Sequence, residues 1–283
     1  MKKILPFLFV ATLGLAACSS ALQQAGAPSP AHEVRSGRAQ GYLAPQPAFD
    51  SAALLPAPPL PGSSGHALDD AISAQARALA GTPRWRQATV DADLDFPQAA
   101  GLFSCALGVR IDAAETPALV TLLHRSLADA SAAGAAAKRR WQRPRPFMVN
   151  QAPTCTPDDE AGLRGNGSYP SGHTAIGWTW ALLLAELAPE RSDPLLQRGR
   201  SYGESRLVCN VHWYSDVQQG QLVAAGTVAS LHADPGFRAD FDAAAREIER
   251  QRARGATPAD CTAEAEALQA SPLDAHAGRD VRH

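Results

Sequence analysis

The sequence predicts an all-α protein, a single packed helical domain, on three observations. Leu119, Leu122, Leu123 and Leu127 recur at three and four residues, the spacing of one helical face. His173 to Leu187 is nearly all apolar and includes Trp178, Trp180 and Leu182 to Leu184. At about fifteen residues that run is short for a membrane span and reads as a buried core helix. No repeat period and no alternating apolar–polar stretch of any length is present. With 283 residues, 45% of them hydrophobic, the chain can bury the core of one domain of roughly 200–250 residues.

Taken in order, the chain starts with a targeting segment. Lys2 and Lys3 precede an apolar run from Ile4 to Ala17, the layout of a secretory signal. The run ends Leu15-Ala16-Ala17-Cys18, which resembles the lipobox of bacterial lipoproteins. That resemblance implies removal of the 1–17 signal peptide and lipidation of the Cys18 thiol. Ser19 suits outer-membrane sorting. The mature protein is then expected in the periplasm, held on the outer membrane by its lipid anchor alone. Residues 19 to about 65 are rich in Ala, Pro, Ser and Gly and read mostly as tether. We assign the tether to 18–45 and the folded domain to 46–255, with Leu54 to Pro59 as an extended strap along it.

A first helix is expected over Ala67 to Ala80, with Asp69 and Asp70 in its first turn and Gly81 and Pro83 closing it. A second covers roughly Phe96 to Leu107, with Asp95 as cap, Pro97 in the first turn and Leu102 and Phe103 in the core. A third starts at Thr116-Pro117 and continues through the alanines to Lys138, until Pro144 and Pro146 stop it. Residues 147–170 read as a long polar loop, a length that is often functional. After the apolar helix, Pro189 to Cys209 looks amphipathic and Asp216 to Ala233 apolar. Asp234-Pro235 opens a charged surface helix to about Arg254. Residues 256–283 are Ala-rich, polar and broken by Gly and Pro, and are expected to be a disordered tail.

Charge narrows the function. The formal net charge is −2, so no excess of base argues for nucleic acid. Beyond Cys18 four cysteines remain: Cys105, Cys155, Cys209 and Cys261. In an exported protein an even number suggests disulfides, and four cysteines allow three pairings. No C-x-x-C spacing points to a zinc site.

Against that near-neutral background, three stretches stand out. The first is Lys138-Arg139-Arg140-Trp141-Gln142-Arg143-Pro144-Arg145-Pro146. The second is Tyr169-Pro170-Ser171-Gly172-His173-Thr174. The third holds Ser205-Arg206, His212 and Asp216. Together they supply fixed cations, two imidazoles, a carboxylate and a turn before an apolar helix. Cleaving a phosphate ester needs preorganised donors on the nonbridging oxygens, a nucleophile, and an acid for the leaving oxygen. Arg145 and Arg206 can fork onto phosphate, with Lys138 as a point charge. The backbone N–H groups of Ser171 and Gly172 are expected to point into the site from a helix N-terminus. His212 and Asp216 are four apart, which on a helix puts them on one side. The carboxylate can then fix the imidazole tautomer and free its other nitrogen to attack. His173 is left as general acid.

The pattern Lys138-x6-Arg145-Pro146, Pro170-Ser171-Gly172-His173, Ser205-Arg206-x5-His212-x3-Asp216 resembles the signature of the type 2 phosphatidic acid phosphatase superfamily. That group holds lipid phosphatases, vanadium haloperoxidases and bacterial acid phosphatases. Asn166 to Tyr169, Ala175 to Trp178 and His212 to Val217 resemble the class A non-specific acid phosphatases, over roughly residues 40–250. The resemblance implies the helical fold of that type and a metal-free, cofactor-free hydrolase of phosphate monoesters with broad range. His212 is then the nucleophile forming a phosphohistidine, Asp216 its orienter and His173 the acid. Lys138, Arg145, Arg206, Ser171 and Gly172 hold the phosphate. It also implies Cys155–Cys209 and Cys105–Cys261 disulfides, and association into homo-oligomers as in relatives. Trp141 and Pro144 depart from the usual residues, as do the tether, the lipobox and the long tail. A vanadate-dependent haloperoxidase is the second class of function, but its relatives are longer and their flanks differ. A lipid phosphatase is the third, though such relatives carry several spanning helices and none is readable here.

Overall fold

The computed structural model describes Met1, residues 39–258 and residues 260–274; the signal peptide, Cys18 and residues 275–283 lie outside the described residues. Among the described residues the secondary structure is helical, without a strand. The helices are α1 (Ser51–Leu54), α2 (Ser64–Arg77), α3 (Pro83–Val90), α4 (Ser104–Leu107), α5 (Pro117–Ala133), α6 (Ala135–Trp141), α7 (Pro146–Asn150), α8 (Glu160–Arg164), α9 (Gly172–Leu187), α10 (Ser192–Val208), α11 (Tyr214–Leu231), α12 (Pro235–Ala253) and α13 (Thr262–Ala267). No helix among them is long and apolar enough to cross a membrane.

The apolar run becomes the axis of the fold. A helix apolar on all sides must be covered on all sides, and α9 packs against α5, α10 and α11, with α12 laid over α5. Trp180, Leu183 and Leu184 are fully buried. The indole Nε1 of Trp180 donates to the Leu123 carbonyl at 3.0 Å, so its one polar atom is satisfied. Small residues set the approach of the neighbours. A Cβ on Gly177 would sit 2.1 Å from Tyr202 Cδ1, and one on Gly220 would sit 2.7 Å from the Ser171 carbonyl oxygen. Gly177 therefore lets α10 lie against α9, and Gly220 lets α11 reach the turn that begins α9.

Several elements differ from the sequence expectation. The third helix breaks at Gly134 into α5 and α6, so Lys138 sits on a separate short helix. Residues 147–170 are not one loop but carry α7, a 3-10 turn at Pro157–Asp159 and α8. Pro83 opens α3 instead of only closing α2, because a first-turn proline forfeits no intrahelical bond. The expected helix over 96–107 is a 3-10 turn, Gln98–Phe103, running into α4; Phe103 is buried as expected and Leu102 partly so. The charged helix α12 does lie at the surface, but Phe237, Ala244 and Ile248 bury its inner face.

The described segments on either side of the helical core are more tied down than their composition suggests. Tyr42, expected in the tether, is 7% exposed; its N–H donates to Asp129 at 2.8 Å and its hydroxyl to Asp240 at 2.8 Å. Leu55 is buried, and the Pro56 carbonyl accepts from the Tyr169 hydroxyl at 2.7 Å. At the other end the expected disorder does not extend over the described part of the tail. Residues 262–267 form α13, fastened by a Cys105–Cys261 disulfide and packed on α3. A cross-link and a few buried contacts there offset a composition that alone could not order the segment.

Candidate active site

Three stretches separated in sequence meet at one cavity of about 420 Å³, lined by Lys138, Arg145, Gly172, His173, Arg206 and His212 among others. Each arrives on its own element. Lys138 lies on α6, and its ammonium donates to the Gly167 carbonyl at 2.7 Å. Arg145 is the residue before α7, where Pro146 takes the first helical position. Gly172 and His173 open α9, so their N–H groups have no partner within the helix and carry its positive end. Arg206 comes from the last turn of α10. A Cys155–Cys209 disulfide ties the 147–170 segment to the end of α10, just before His212.

His212 is 4% exposed. Its Nε2 lies 3.1 Å from an Arg145 guanidinium nitrogen, and its Nδ1 lies 3.3 Å from Asp216 Oδ2. A guanidinium only donates, so Nε2 must be the unprotonated acceptor and Nδ1–H the donor to Asp216. The pair does not share a helix face as expected. His212 precedes α11, Trp213 caps it, and Asp216 is in the first turn, where Oδ2 also accepts from the Trp213 N–H at 2.9 Å.

Ser171 also departs from expectation. Its N–H donates to the Asp216 carbonyl at 2.9 Å, so it is not aimed into the cavity. Its hydroxyl caps α9, accepting from the Thr174 N–H at 3.3 Å and the Thr174 hydroxyl at 2.8 Å. Gly172 keeps its expected place. Ser171 and Asp216, both fully buried, thus join the turn before α9 to the start of α11 from behind the cavity wall.

His173 stays partly open to the cavity, and its Nε2 lies 2.9 Å from the Ala92 carbonyl. A carbonyl can only accept, so Nε2 carries the proton and Nδ1 is the nitrogen left to exchange one.

The cavity is electrostatically unfinished. Arg145 is held by the carbonyls of Leu163, Asn166 and Val211. Arg206 is 2% exposed, and its Nε and one terminal nitrogen have no hydrogen-bond partner. Burial, then the neighbouring Arg145, pulls the Lys138 ammonium down to about 7. Burial likewise lowers Arg145 to about 10. Burial, then Arg145, Lys138 and Arg206, holds His212 well below the usual histidine range. Burial and Arg206 do the same to His173. Each of these shifts disfavours positive charge, which an incoming anion would reverse.

The chain is similar to known proteins over this region. Residues 118–238 match the model of the PAP2 superfamily, a span that includes every cavity cation and both histidines. The chain is 45% identical over 206 residues to an acid phosphatase of Zymomonas mobilis, covering 73% of this chain and 78% of that protein. It is 43% identical to a non-specific acid phosphatase of Providencia stuartii, covering 73% and 84%. A non-specific acid phosphatase of Salmonella typhimurium is 40% identical, covering 70% and 80%. The chain belongs to the PAP2 superfamily, among its bacterial acid phosphatases. Phosphatase activity comes with that membership.

For a phosphatase of this group, sequence reasoning missed two residues. Arg143 donates to Asp216 Oδ1 at 2.7 Å and to Asp69 Oδ2 at 2.7 Å. In the sequence it was one arginine among four in the first block, and Asp69 was only a first-turn acid of a distant helix. The proline pair around Arg145 was the one signal that this segment is not an ordinary helix end.

Proposed function

We propose that this phosphatase is a metal-independent acid phosphatase that hydrolyses phosphate monoesters of broad range through a phosphohistidine on His212. The observation that carries the proposal is the His212 ring. Asp216 takes its Nδ1–H, and its Nε2 lone pair faces a cavity walled by Lys138, Arg145 and Arg206. In the free protein Arg145 occupies that lone pair. A phosphate dianion drawing the Arg145 and Arg206 guanidiniums onto its own oxygens frees Nε2 to attack phosphorus. The ester P–O bond breaks, and Nδ1 of protonated His173 gives its proton to the leaving oxygen. The phosphorylated His212 ring is cationic, and ionised Asp216 offsets that charge. Water then attacks phosphorus, His173 takes a water proton, and the P–N bond breaks to return neutral His212 and inorganic phosphate.

The apolar side chains of Leu94, Leu163 and Ile176 also line the cavity. They offer no directional polar contact, which suits leaving groups of varied structure. The low position of His173 in the free protein favours acid pH, where the donor proton is present. The Leu15-Ala16-Ala17-Cys18 stretch supports export and anchoring by lipid on Cys18.

The test is release of p-nitrophenol from its phosphate near pH 6 in EDTA, by a soluble form starting after Cys18. Turnover should persist in EDTA and vanish in His212→Ala, and acid-labile, base-stable phosphohistidine should be trapped from the wild type alone. Turnover that needs added metal, or that survives in His212→Ala, would sink the proposal. No turnover, with bromide oxidation on adding vanadate and peroxide, would move the chain to the haloperoxidase class.

A further inference from the structure

Behind His212 lies a buried chain of charges, of which the reaction above uses only Asp216. Asp69 on α2 is 2% exposed, Arg143 is 9% exposed and Asp216 is fully buried. Arg143 bridges the two carboxylates at 2.7 Å each. It also donates to the Ser215 hydroxyl at 2.8 Å. Asp69 in turn accepts from the Ser215 N–H at 2.8 Å and the Ser215 hydroxyl at 2.7 Å. So α2, the Arg143 segment and the first turn of α11 are locked together by charge-assisted bonds, the strongest kind available here.

The grip is two-ended. Arg143 holds Asp216 Oδ1, and Arg145 reaches His212 Nε2. Between them the Pro144 carbonyl accepts from Trp213 Nε1 at 2.9 Å. Three consecutive residues, Arg143-Pro144-Arg145, thus contact Asp216, Trp213 and His212. Pro144 fixes its own φ and lacks an N–H, so the two arginines leave the backbone at a set angle. The Ser168 N–H donates to the Arg143 carbonyl at 2.9 Å and pins the segment from the other side.

We propose that Arg143, anchored by Asp69, is a positioning residue that keeps Asp216 ionised and aligned on His212. The proposal rests on the phosphatase reading for its kinetic consequence but not for its geometry. Burial pushes the Asp216 carboxyl up, and Arg143 first, then the Trp213 N–H and Lys138, pulls it back. The charged or titratable groups facing Asp216 are Arg143, Arg145, Lys138 from α6, His212, and the Tyr169 phenol. Burial and Asp216 push the phenol up, so it stays neutral. Without Arg143, two buried carboxylates would lie together with no cation bonded between them, Lys138 and Arg145 being the cations left near Asp216, and protonation would relieve them. A protonated Asp216 cannot hold the Nδ1–H tautomer of His212, nor offset the cationic phosphohistidine.

The experiment compares wild type, Asp69→Asn, Arg143→Gln and Arg143→Lys by pH profile on p-nitrophenyl phosphate and by inhibition with inorganic phosphate. The expected losses in kcat are about 10-fold for Asp69→Asn and about 100-fold for Arg143→Gln, the range seen when partners behind a ligand are removed. Inhibition by phosphate should change less than about threefold, since the cavity cations remain. The acid limb of kcat should move to higher pH in Arg143→Gln and back towards wild type in Arg143→Lys. Unchanged kcat and limb would overturn the proposal, as would equal losses of kcat and phosphate inhibition that lysine does not restore. A readout independent of turnover is the 15N spectrum of the His212 ring. It should show the Nδ1–H tautomer in wild type and a mixture in Arg143→Gln and Asp69→Asn. An inactive wild type with that spectral change would sink the phosphatase reading and keep the positioning role; the same tautomer in all variants would sink the role itself.

Discussion

Arg198 and Arg206 sit eight residues apart on α10, and both are 2% exposed. Arg198 faces Asp91, with contacts at 2.5 and 3.3 Å, and Glu264 from α13 lies 3.5 Å from its Nε. Burial alone would lower its pKa, but Asp91 and Glu264 outweigh that and raise it. Arg206 has two unpartnered nitrogens, and burial lowers it, only partly offset by Tyr202, Asp91 and Asp159. The same side chain on the same helix is paired within the fold in one place and lines the cavity with unpartnered nitrogens in the other. The difference is the partner: a buried cation whose counter-charge is built into the fold stabilises it, whereas one without is strained until an anion arrives.

Removing the built-in partner should therefore hurt folding most. Asp91→Ala strips Arg198 of its bidentate partner, leaving it buried with only Glu264 3.5 Å from its Nε, and removes one of the two acceptors of the Ser205 hydroxyl. A loss of about 3–5 kcal/mol in chemical denaturation is expected. Removing the unpaired cation should do the reverse. Arg206→Ala should lower kcat by about 10²–10³ while leaving the thermal midpoint unchanged or higher. Inorganic phosphate should raise the midpoint of the wild type but hardly that of the variant. If Arg206→Ala unfolds the protein as Asp91→Ala does, the contrast fails.

The α13 segment supplies Glu264 to Arg198, so its cross-link sharpens the comparison. Cys261→Ser opens a loop closed over a sequence separation of 156 and should cost at least about 2 kcal/mol, with little effect on KM. The smallest effect is on pH. In the free protein His173 must be protonated to serve as acid, and its pKa is held low, while Lys138 loses its charge at about 7. The value of kcat/KM should therefore fall as pH rises through 6 to 8. The corresponding limb of kcat should lie at higher pH, because bound phosphate restores the charge that favours imidazolium. A limb of kcat at lower pH than that of kcat/KM would contradict this.

The two arginines also mark where the sequence could be read. Arg206 was legible because Ser205-Arg206, His212 and Asp216 form one block, with internal spacing that resembles a family signature, beside two others. Arg198 was not, because its partners are 107 and 66 residues away and share no pattern with it. Arg143 was in view but indistinct among its neighbours, and Asp69 was read as a helix-end charge although it is buried against Ser215. The apolar helix was placed to within one residue, since a run apolar on every side admits few alternatives. The segment 147–170 was misread as loop because its helices are five residues long, too short to establish a period.

The sequence by itself determined the helical class, the central helix, and the blocks whose cations and imidazoles meet at one cavity, because each of those is a local pattern or a short motif. Only the tertiary structure decided that the Ser171 N–H belongs to Asp216 and not to the cavity. It also decided that His212 stands before α11, that Arg143 and Asp69 stand behind Asp216, and that α13 brings Glu264 to Arg198. Those are matters of which buried charge finds which partner. Such pairing is governed by distances through the core, which spacing along the chain does not encode.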